Sequence, residues 1–527
     1  MRTRERMLLN GADILIHCLE EQGVRNIFGY PGASILSVYD ALANSSIRHV
    51  LAAHEQGACF AAEGYARRSG RAGVVLATSG PGATNLVTGL ADAYMDSVPL
   101  VAITGNVPLS KLGHDSFQEV DIFDVSMPVT KYGIIVKSAN EIAPAIRRAF
   151  ALAESGRKGP VLVDVPSDIF DHSAEYEPVQ PARPLPLPPS EEEVRAAAEL
   201  LNKSERPLLY AGGGVTQAGA EDKLMQLARK LNAPVVTSYM GIGCCPPGYE
   251  RFLGVLSDIN PKATEAVSEC DLFVTVGARF NSRYNAFNTL RKRKIPLLQI
   301  DSDRAEIDKN LLTTAAVVGD AALSLEALLP LAEEKEAQDW AYLAMPDLGE
   351  ENRGTRIIRA LTRELGDVTV TTDVGLHQEW TAHNAVIRTP RRFLTSGGLG
   401  AMGFGMGAAI GAHFASGDVC LVVTGDGSFN MNFNELTTAV KHHVPLVVAV
   451  LNNNALGMIR KLQTARRSKG GVNALYLDVD YAALARAMGA RGVTVTEEED
   501  PEEAVKRALD GPLPVVIDFK LPINTGI

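Results

Sequence analysis

Short apolar runs alternate along this chain with stretches whose apolar residues recur every three to four positions. The runs Val24–Phe28, Val74–Thr78, Leu100–Thr104 and Val161–Val165 predict strands, and patterns such as Ala58–Arg67 between them predict helices. The alternation returns at Leu208–Ala211, Val235–Ser238, Leu272–Val276 and Leu297–Ile300, and again at Val368–Thr372, Cys420–Thr424, Leu446–Leu451 and Val515–Phe519. Strands alternating with helices imply a parallel sheet covered by helices on both faces. The predicted fold class is α/β, with three doubly wound parallel-sheet domains. No residue-level repeat relates the three, so any kinship among them is architectural.

Two seams interrupt the pattern. Tyr176 to Ser190 carries too many prolines for a helix or a central strand and reads as an extended linker. Ala332 to Gly354 is charged and ends in PDLGEENRG before a new helical pattern begins. The predicted domains are residues 1–175, 190–335 and 355–527, in keeping with a chain of 527 residues that is too long for one core. Met1 to Glu21 is briefly basic, but Ala12, Leu15, Ile16 and Leu19 follow helical spacing, which predicts an amphipathic helix rather than a targeting segment.

Composition narrows the function. Hydrophobic residues make up 46% and charged residues 21%, the balance of a globular protein, and no transmembrane helix is expected. A net charge of −11 without a basic, aromatic-laced patch argues against nucleic acid and for small-molecule substrates. The six cysteines show no C-x-x-C spacing, and the Cys244-Cys245 pair reads as structural, so a reducing, cytoplasmic setting fits.

The strongest chemistry lies in the last segment. The apolar run CLVVT leads into Gly425-Asp426-Gly427-Ser428, and LVVAVL leads into Asn452-Asn453-Asn454, with Asp426 and Asn453 27 residues apart. A strand–helix–strand crossover of that length brings both oxygen ligands to the carboxyl ends of neighbouring strands. Hard Mg²⁺ suits such oxygens, completed by phosphate and a backbone carbonyl. Gly425 and Gly427 let a diphosphate approach the backbone. GDG alone would be a plain turn; the asparagine pair at crossover distance is what gives it weight.

GDG followed by NN at this spacing resembles the thiamine diphosphate motif of the 2-keto-acid decarboxylase and acetolactate synthase superfamily. Glu55 in LAAHEQGACFAAEGYAR looks like that superfamily's cofactor-activating glutamate, and Thr78 to Gly105 resembles acetolactate synthases in particular. The resemblance covers nearly the whole chain. It implies thiamine diphosphate and Mg²⁺ as cofactors, with Glu55 beside the pyrimidine, partly buried at a helix start. It also implies that Tyr30, Pro31 and Gly32 line the pyrimidine, that Met402 and Met458 buttress the cofactor, and that Gly425, Gly427 and Ser428 hold its diphosphate. Asp426, Asn453 and Ala455 are the implied metal ligands, with Gln118 and Arg279 serving the intermediate and the second substrate's carboxylate. Gly398 to Gly403 formally matches G-x-G-x-x-G, but no clean strand is predicted before it and no ribose-binding acid follows, so a nicotinamide site is not supported.

By the same resemblance the middle domain is a flavin-binding one, with Arg157, Gly212, Gly213, Asp301 and Asp320 as FAD contacts in a non-redox role. Departures stand beside the match: Val255 to Ala263 replaces a usual Met-His-Gly segment, Ser167 a common lysine, and Leu462 a tryptophan that favours 2-ketobutyrate. The implied activity is a transferase of branched-chain amino acid biosynthesis: decarboxylation of pyruvate and carboligation with a second 2-keto acid to give acetolactate. Another decarboxylase, a C–C lyase, an acyl transferase or a silent paralogue would keep Glu55, Asp426 and Asn453. The implied partners are 2-keto acids, a second copy in a homodimer or homotetramer with sites at the dimer interface, and a small regulatory subunit.

Overall fold

The computed structural model describes residues 6–281, 285–336, 351–466, 474–475 and 478–526. Three six-stranded sheets organise the chain, and every pairing within them is parallel. From edge to edge the first runs Arg48–Leu51, Asn26–Tyr30, Gly73–Ala77, Leu100–Asn106, Pro160–Pro166, Tyr132–Ile135. The last runs Phe393–Thr395, Thr369–Thr372, Cys420–Gly425, Leu446–Asn452, Val515–Lys520, Arg491–Val495. Numbered along the chain within each sheet, both have the order 2-1-3-4-6-5. The middle sheet, Phe252–Val255, Val235–Thr237, Pro207–Ala211, Leu272–Val276, Leu297–Asp301, Ala315–Val318, has the order 3-2-1-4-5-6 of dinucleotide-binding folds. In each case the order reverses beside strand 1, and a crevice opens there at the carboxyl ends of the strands.

All twelve strands expected from apolar runs are present, within about two residues at each end. The six strands of these three sheets that were not foreseen, Arg48–Leu51, Tyr132–Ile135, Phe252–Val255, Ala315–Val318, Phe393–Thr395 and Arg491–Val495, are their six edges. An edge strand is covered less, so its sequence is mixed rather than continuously apolar; Tyr132–Ile135 is half-buried throughout. The amphipathic helix near the start is shorter than its pattern suggested. Met7–Asn10 is a strand paired antiparallel with Ser173–Tyr176, and the helix Gly11–Glu21 begins after Asn10 caps it by accepting from the Asp13 amide. Beyond Tyr176 the proline-rich stretch forms no helix or strand up to Ser190 and is largely exposed, while most of the second seam lies outside the described residues. No helix among the described residues is long and apolar enough to cross a membrane.

First and last domains share a core. Helix Glu55–Ser69 lies against helix Phe404–Ser416 so closely that a Cβ on Gly411 would sit 1.8 Å from the Ala61 carbonyl oxygen, and one on Gly64 2.0 Å from that of Ala408. Phe28, Phe60, Phe404 and Phe429 fill one apolar cluster across this contact.

Candidate active site

The crevice of the last sheet gathers the GDG and NN segments. Strands Cys420–Gly425 and Leu446–Asn452 are neighbours in register, Gly425 opposite Leu451, so Asp426 and Asn453 leave the sheet side by side. Asp426 is 2% exposed, and its Oδ2 has no hydrogen-bond partner among the described residues. Burial pushes its carboxyl up to about 6, against the pull of backbone amides including those of Gly427 and Ala455. A buried carboxylate oxygen with nothing to accept is what a cation site requires. Among the described residues no group of three or more His, Cys, Asp or Glu could hold a metal. The donors on offer are one carboxylate, the Asn453 amide and the Ala455 carbonyl, an all-oxygen set that suits Mg²⁺ once phosphate joins it.

Gly425, Gly427, Ser428, Met402 and Met458 line the same cleft, with Leu376, His377 and Trp380. Every described residue lining it comes from the last domain, between Val374 and Leu521. Met402 arrives from the formal G-x-G-x-x-G segment, which does follow a strand, the short edge Phe393–Thr395. Motif reasoning passed over His377. It is buried as the second residue of helix Leu376–Asn384, which follows strand Thr369–Thr372, burial holds its ring down at about 3, and its Nε2 has no partner among the described residues. A neutral imidazole donor or acceptor therefore faces the cleft; its clue was its place two residues after Gly375 at the switch point, which only the strand order reveals.

Glu55 belongs to a second cluster, at the corresponding end of the first sheet. It is the first residue of helix Glu55–Ser69, whose N-cap His54 accepts from the Gln56 amide through Nδ1 at 3.1 Å. Its carboxylate is buried, at 9% exposure, and Oε2 accepts a 2.9 Å bond from Asn85 Nδ2, another residue the motifs did not single out. Around it the chain closes tightly. A Cβ on Gly82 would stand 3.2 Å from Glu55 Oε1, and one on Gly32 2.4 Å from Thr78 Cβ. Gly80, at φ +59°, leaves room for the Gln118 backbone, itself at φ 59°. The loop after Tyr30 and Pro31, the Thr78–Gly82 turn, Gln118 and Glu55 thus sit together, and none of them lines the Asp426 cleft.

The middle sheet's crevice is lined by Arg157, Gly213, Gly214, Arg279 and Asp301, and it reaches Asp96 of the first domain and Gly397 and Gly398 of the last. Gly212 lies just behind, where a Cβ would meet the Gly277 carbonyl at 2.2 Å. Arg157 is fixed by Glu306 at 3.1 Å and by Ser97 Oγ and the Tyr94 carbonyl, each at 3.0 Å. Burial holds the Asp301 carboxyl up at about 6. Arg279 donates to the Met95 carbonyl, so it is grouped with Arg157 and Asp301 rather than with Glu55. Asp320 stands apart from the groove and caps helix Ala321–Leu328 through the Ala322 and Leu323 amides. Polar contacts tie down the departing segment, with Ser257 Oγ 2.9 Å from His383 Nε2 and Asp258 accepting twice from Asn285. Leu462 is half-exposed on helix Gly457–Ala465, whose first residues line the Asp426 cleft.

Comparison with known proteins agrees with this division. The profile of the thiamine pyrophosphate enzyme N-terminal TPP binding domain matches residues 9–125, that of the central domain residues 194–328, and that of the C-terminal TPP binding domain residues 373–519. The acetolactate synthase isozyme 2 large subunit of Escherichia coli is 40% identical over 524 residues, covering 96% of this chain and 94% of that protein. The probable acetolactate synthase large subunit of Methanocaldococcus jannaschii is 37% identical, covering 97% and 92%. Acetolactate synthase 3, chloroplastic, of Brassica napus is 38% identical, covering 97% and 83%. Thiamine diphosphate is the cofactor these profiles describe, and with such relatives along nearly its whole length the chain belongs to the acetolactate synthase large-subunit family of thiamine pyrophosphate enzymes.

Proposed function

We propose that this chain decarboxylates pyruvate and joins the resulting two-carbon unit to a second 2-keto acid, giving acetolactate. The observation that carries the reading is the Asp426 cleft, with a buried carboxylate oxygen that has no partner among the described residues beside Asn453, in a chain this similar to acetolactate synthases. When bound, thiamine diphosphate supplies the carbon nucleophile and the electron sink that decarboxylation needs. Asp426, Asn453 and the Ala455 carbonyl hold Mg²⁺, and Gly425, Gly427, Ser428 and His377 receive the diphosphate. Met402 and Met458 support the cofactor's apolar face. Glu55 holds a proton at the pyrimidine nitrogen, with Asn85 aiming its carboxylate. Tyr30, Pro31 and Gly32 close around that ring, and Gln118 bonds the reacting group.

Glu55 and Asp426 lie in separate clusters of one chain, so a homodimer, in which a second copy brings the Glu55 cluster over the Asp426 cleft, is the minimum active unit. The middle crevice, with its 3-2-1-4-5-6 strand order, close-packed glycines and Arg157, fits the adenine dinucleotide of FAD in a non-redox role. Arg279 at its mouth pairs with the acceptor's carboxylate. Relatives named as large subunits support a small regulatory subunit as partner. Six free, buried cysteines suit a reducing cytoplasm. The test is to incubate the protein with pyruvate, thiamine diphosphate and Mg²⁺ and to measure acetolactate against acetaldehyde, with and without 2-ketobutyrate. Acetolactate is expected, with Leu462 giving no strong preference for 2-ketobutyrate; acetaldehyde alone would overturn the reading. The flavin absorbance of the same sample tests FAD.

A further inference from the structure

Glu435 opens helix Glu435–Lys441 in the last domain, nine residues after Asp426, and it is 1% exposed. Its carboxylate points out of its own domain, to the start of the helix that carries Glu55. Oε1 accepts from the His54 amide at 3.0 Å and the Ala53 amide at 3.1 Å, and Oε2 accepts from Thr438 Oγ1 at 2.7 Å and shares the Ala53 amide at 3.2 Å. The first amides of a helix have no partner within it, and here a carboxylate from another domain satisfies two amides at the helix entry. The approach depends on Gly57, where a Cβ would come within 2.2 Å of Glu435 Oε1. Burial pushes the Glu435 carboxyl up to about 7, with the nearby Glu55 adding to the rise.

We propose that Glu435 is a positioning residue for Glu55: by gripping the Ala53 and His54 amides it fixes the helix start, and so the direction in which the Glu55 carboxylate leaves the backbone. The proposal rests on the reading of Glu55 as the group that activates the cofactor. A pyrimidine nitrogen must be met at hydrogen-bonding distance, and an error of 1 Å in such an alignment costs about 100-fold in rate. Asn85 holds one carboxylate oxygen, but nothing in that bond fixes the backbone from which the side chain springs. Glu435 supplies that second constraint. Oε1 accepts the shorter bond from each amide, so a glutamine whose carbonyl oxygen stands at Oε1 keeps both of those bonds and loses only the second, 3.2 Å bond from Ala53 to Oε2, whereas an alanine loses them all.

Two measurements test this in the full-length protein. Without cofactor, hydrogen–deuterium exchange over residues 52–58 should speed by about tenfold or more in Glu435→Ala and stay near wild type in Glu435→Gln. With thiamine diphosphate and Mg²⁺ bound, exchange of the cofactor's C2 proton for deuterium, followed by NMR after acid quench, should slow by about 100-fold in Glu435→Ala and by no more than about threefold in Glu435→Gln. Arg68→Ala is the control, because Arg68 joins the same two domains through Asp418 at 2.9 Å from the far end of the Glu55 helix. It should leave C2 exchange unchanged. Equal losses in Glu435→Gln and Glu435→Ala, or an equal loss in Arg68→Ala, would overturn the proposal, as would an unchanged exchange pattern at 52–58. Glu55→Gln separates the two ideas: if it leaves C2 exchange intact, the reading of Glu55 fails and the positioning role falls with it.

Discussion

Asp426 and Glu55 are both buried carboxylates, yet opposite outcomes are expected from changing them. Asp426 has an oxygen without a partner among the described residues and a carboxyl held up by desolvation, so in the cofactor-free protein its charge is a burden on the native state. Asp426→Asn is therefore expected to leave the melting temperature of the cofactor-free protein unchanged or higher. The rise in melting temperature on adding Mg²⁺ and thiamine diphosphate should vanish, because ligand stabilisation needs a bound ligand. Scanning fluorimetry with and without cofactor reads both halves, and a retained cofactor shift would remove Asp426 from the metal site. Glu55→Gln, which keeps the shape and an acceptor for Asn85, should retain cofactor binding by calorimetry while turnover falls by about 100-fold or more, the scale of a lost proton-transfer group. Both residues were legible in the sequence because each stands inside a spaced motif. Asn85, His377 and Glu435 were not, since each has meaning only through a neighbour brought by the fold: Glu55, the switch point and the helix entry.

At the scale of elements, what the pattern of apolar runs could reveal was burial on both faces. Interior strands such as Leu100–Asn106 and Leu446–Asn452 are buried at every position and announced themselves, whereas edges such as Tyr132–Ile135 carry no such run. The contact between helices Glu55–Ser69 and Phe404–Ser416 was equally hidden, for it is built from absent side chains. With a Gly411 Cβ only 1.8 Å from the Ala61 carbonyl, Gly411→Val must force the helices apart. A loss of about 3 kcal/mol or more is expected by chemical denaturation, the upper range for overpacking; a stable variant would show that the contact yields. Beside this contact, burial and then Asp96 hold the Asp92 carboxyl up at about 8, and its Oδ2 has no partner among the described residues. A carboxyl that keeps its proton in the native state and releases it on unfolding makes stability fall as pH rises through the interval between the two values, here about 4 to about 8. Asp92→Asn removes that slope. The gap in melting temperature between variant and wild type should widen in the variant's favour from pH 5 to pH 8, and a constant gap would refute the assignment.

At the scale of the molecule, the Asp426 cleft and the Glu55 cluster share no lining residue among the described residues. The cleft around Asp426 is lined only by the last domain among the described residues, and the cluster around Glu55 sits at the strand ends of a different sheet. The family resemblance already implied sites at a dimer interface; what the structure adds is that Glu55 is absent from the lining of its own chain's Asp426 cleft among the described residues. If a second copy closes each cleft, the two halves of a working site come from different chains, and damage to the two halves can be complemented. Chains carrying Glu55→Ala alone, or Asp426→Ala alone, should be inactive because every site in their dimers lacks one group. Mixed by unfolding and refolding together, half of the dimers are heterodimers, and in each of these one site combines an intact Glu55 with an intact Asp426. The mixture should therefore recover up to about one quarter of wild-type acetolactate formation, while each variant refolded alone recovers none. A site built within one chain predicts no recovery at any mixing ratio, and that result would return Glu55 and Asp426 to the same subunit.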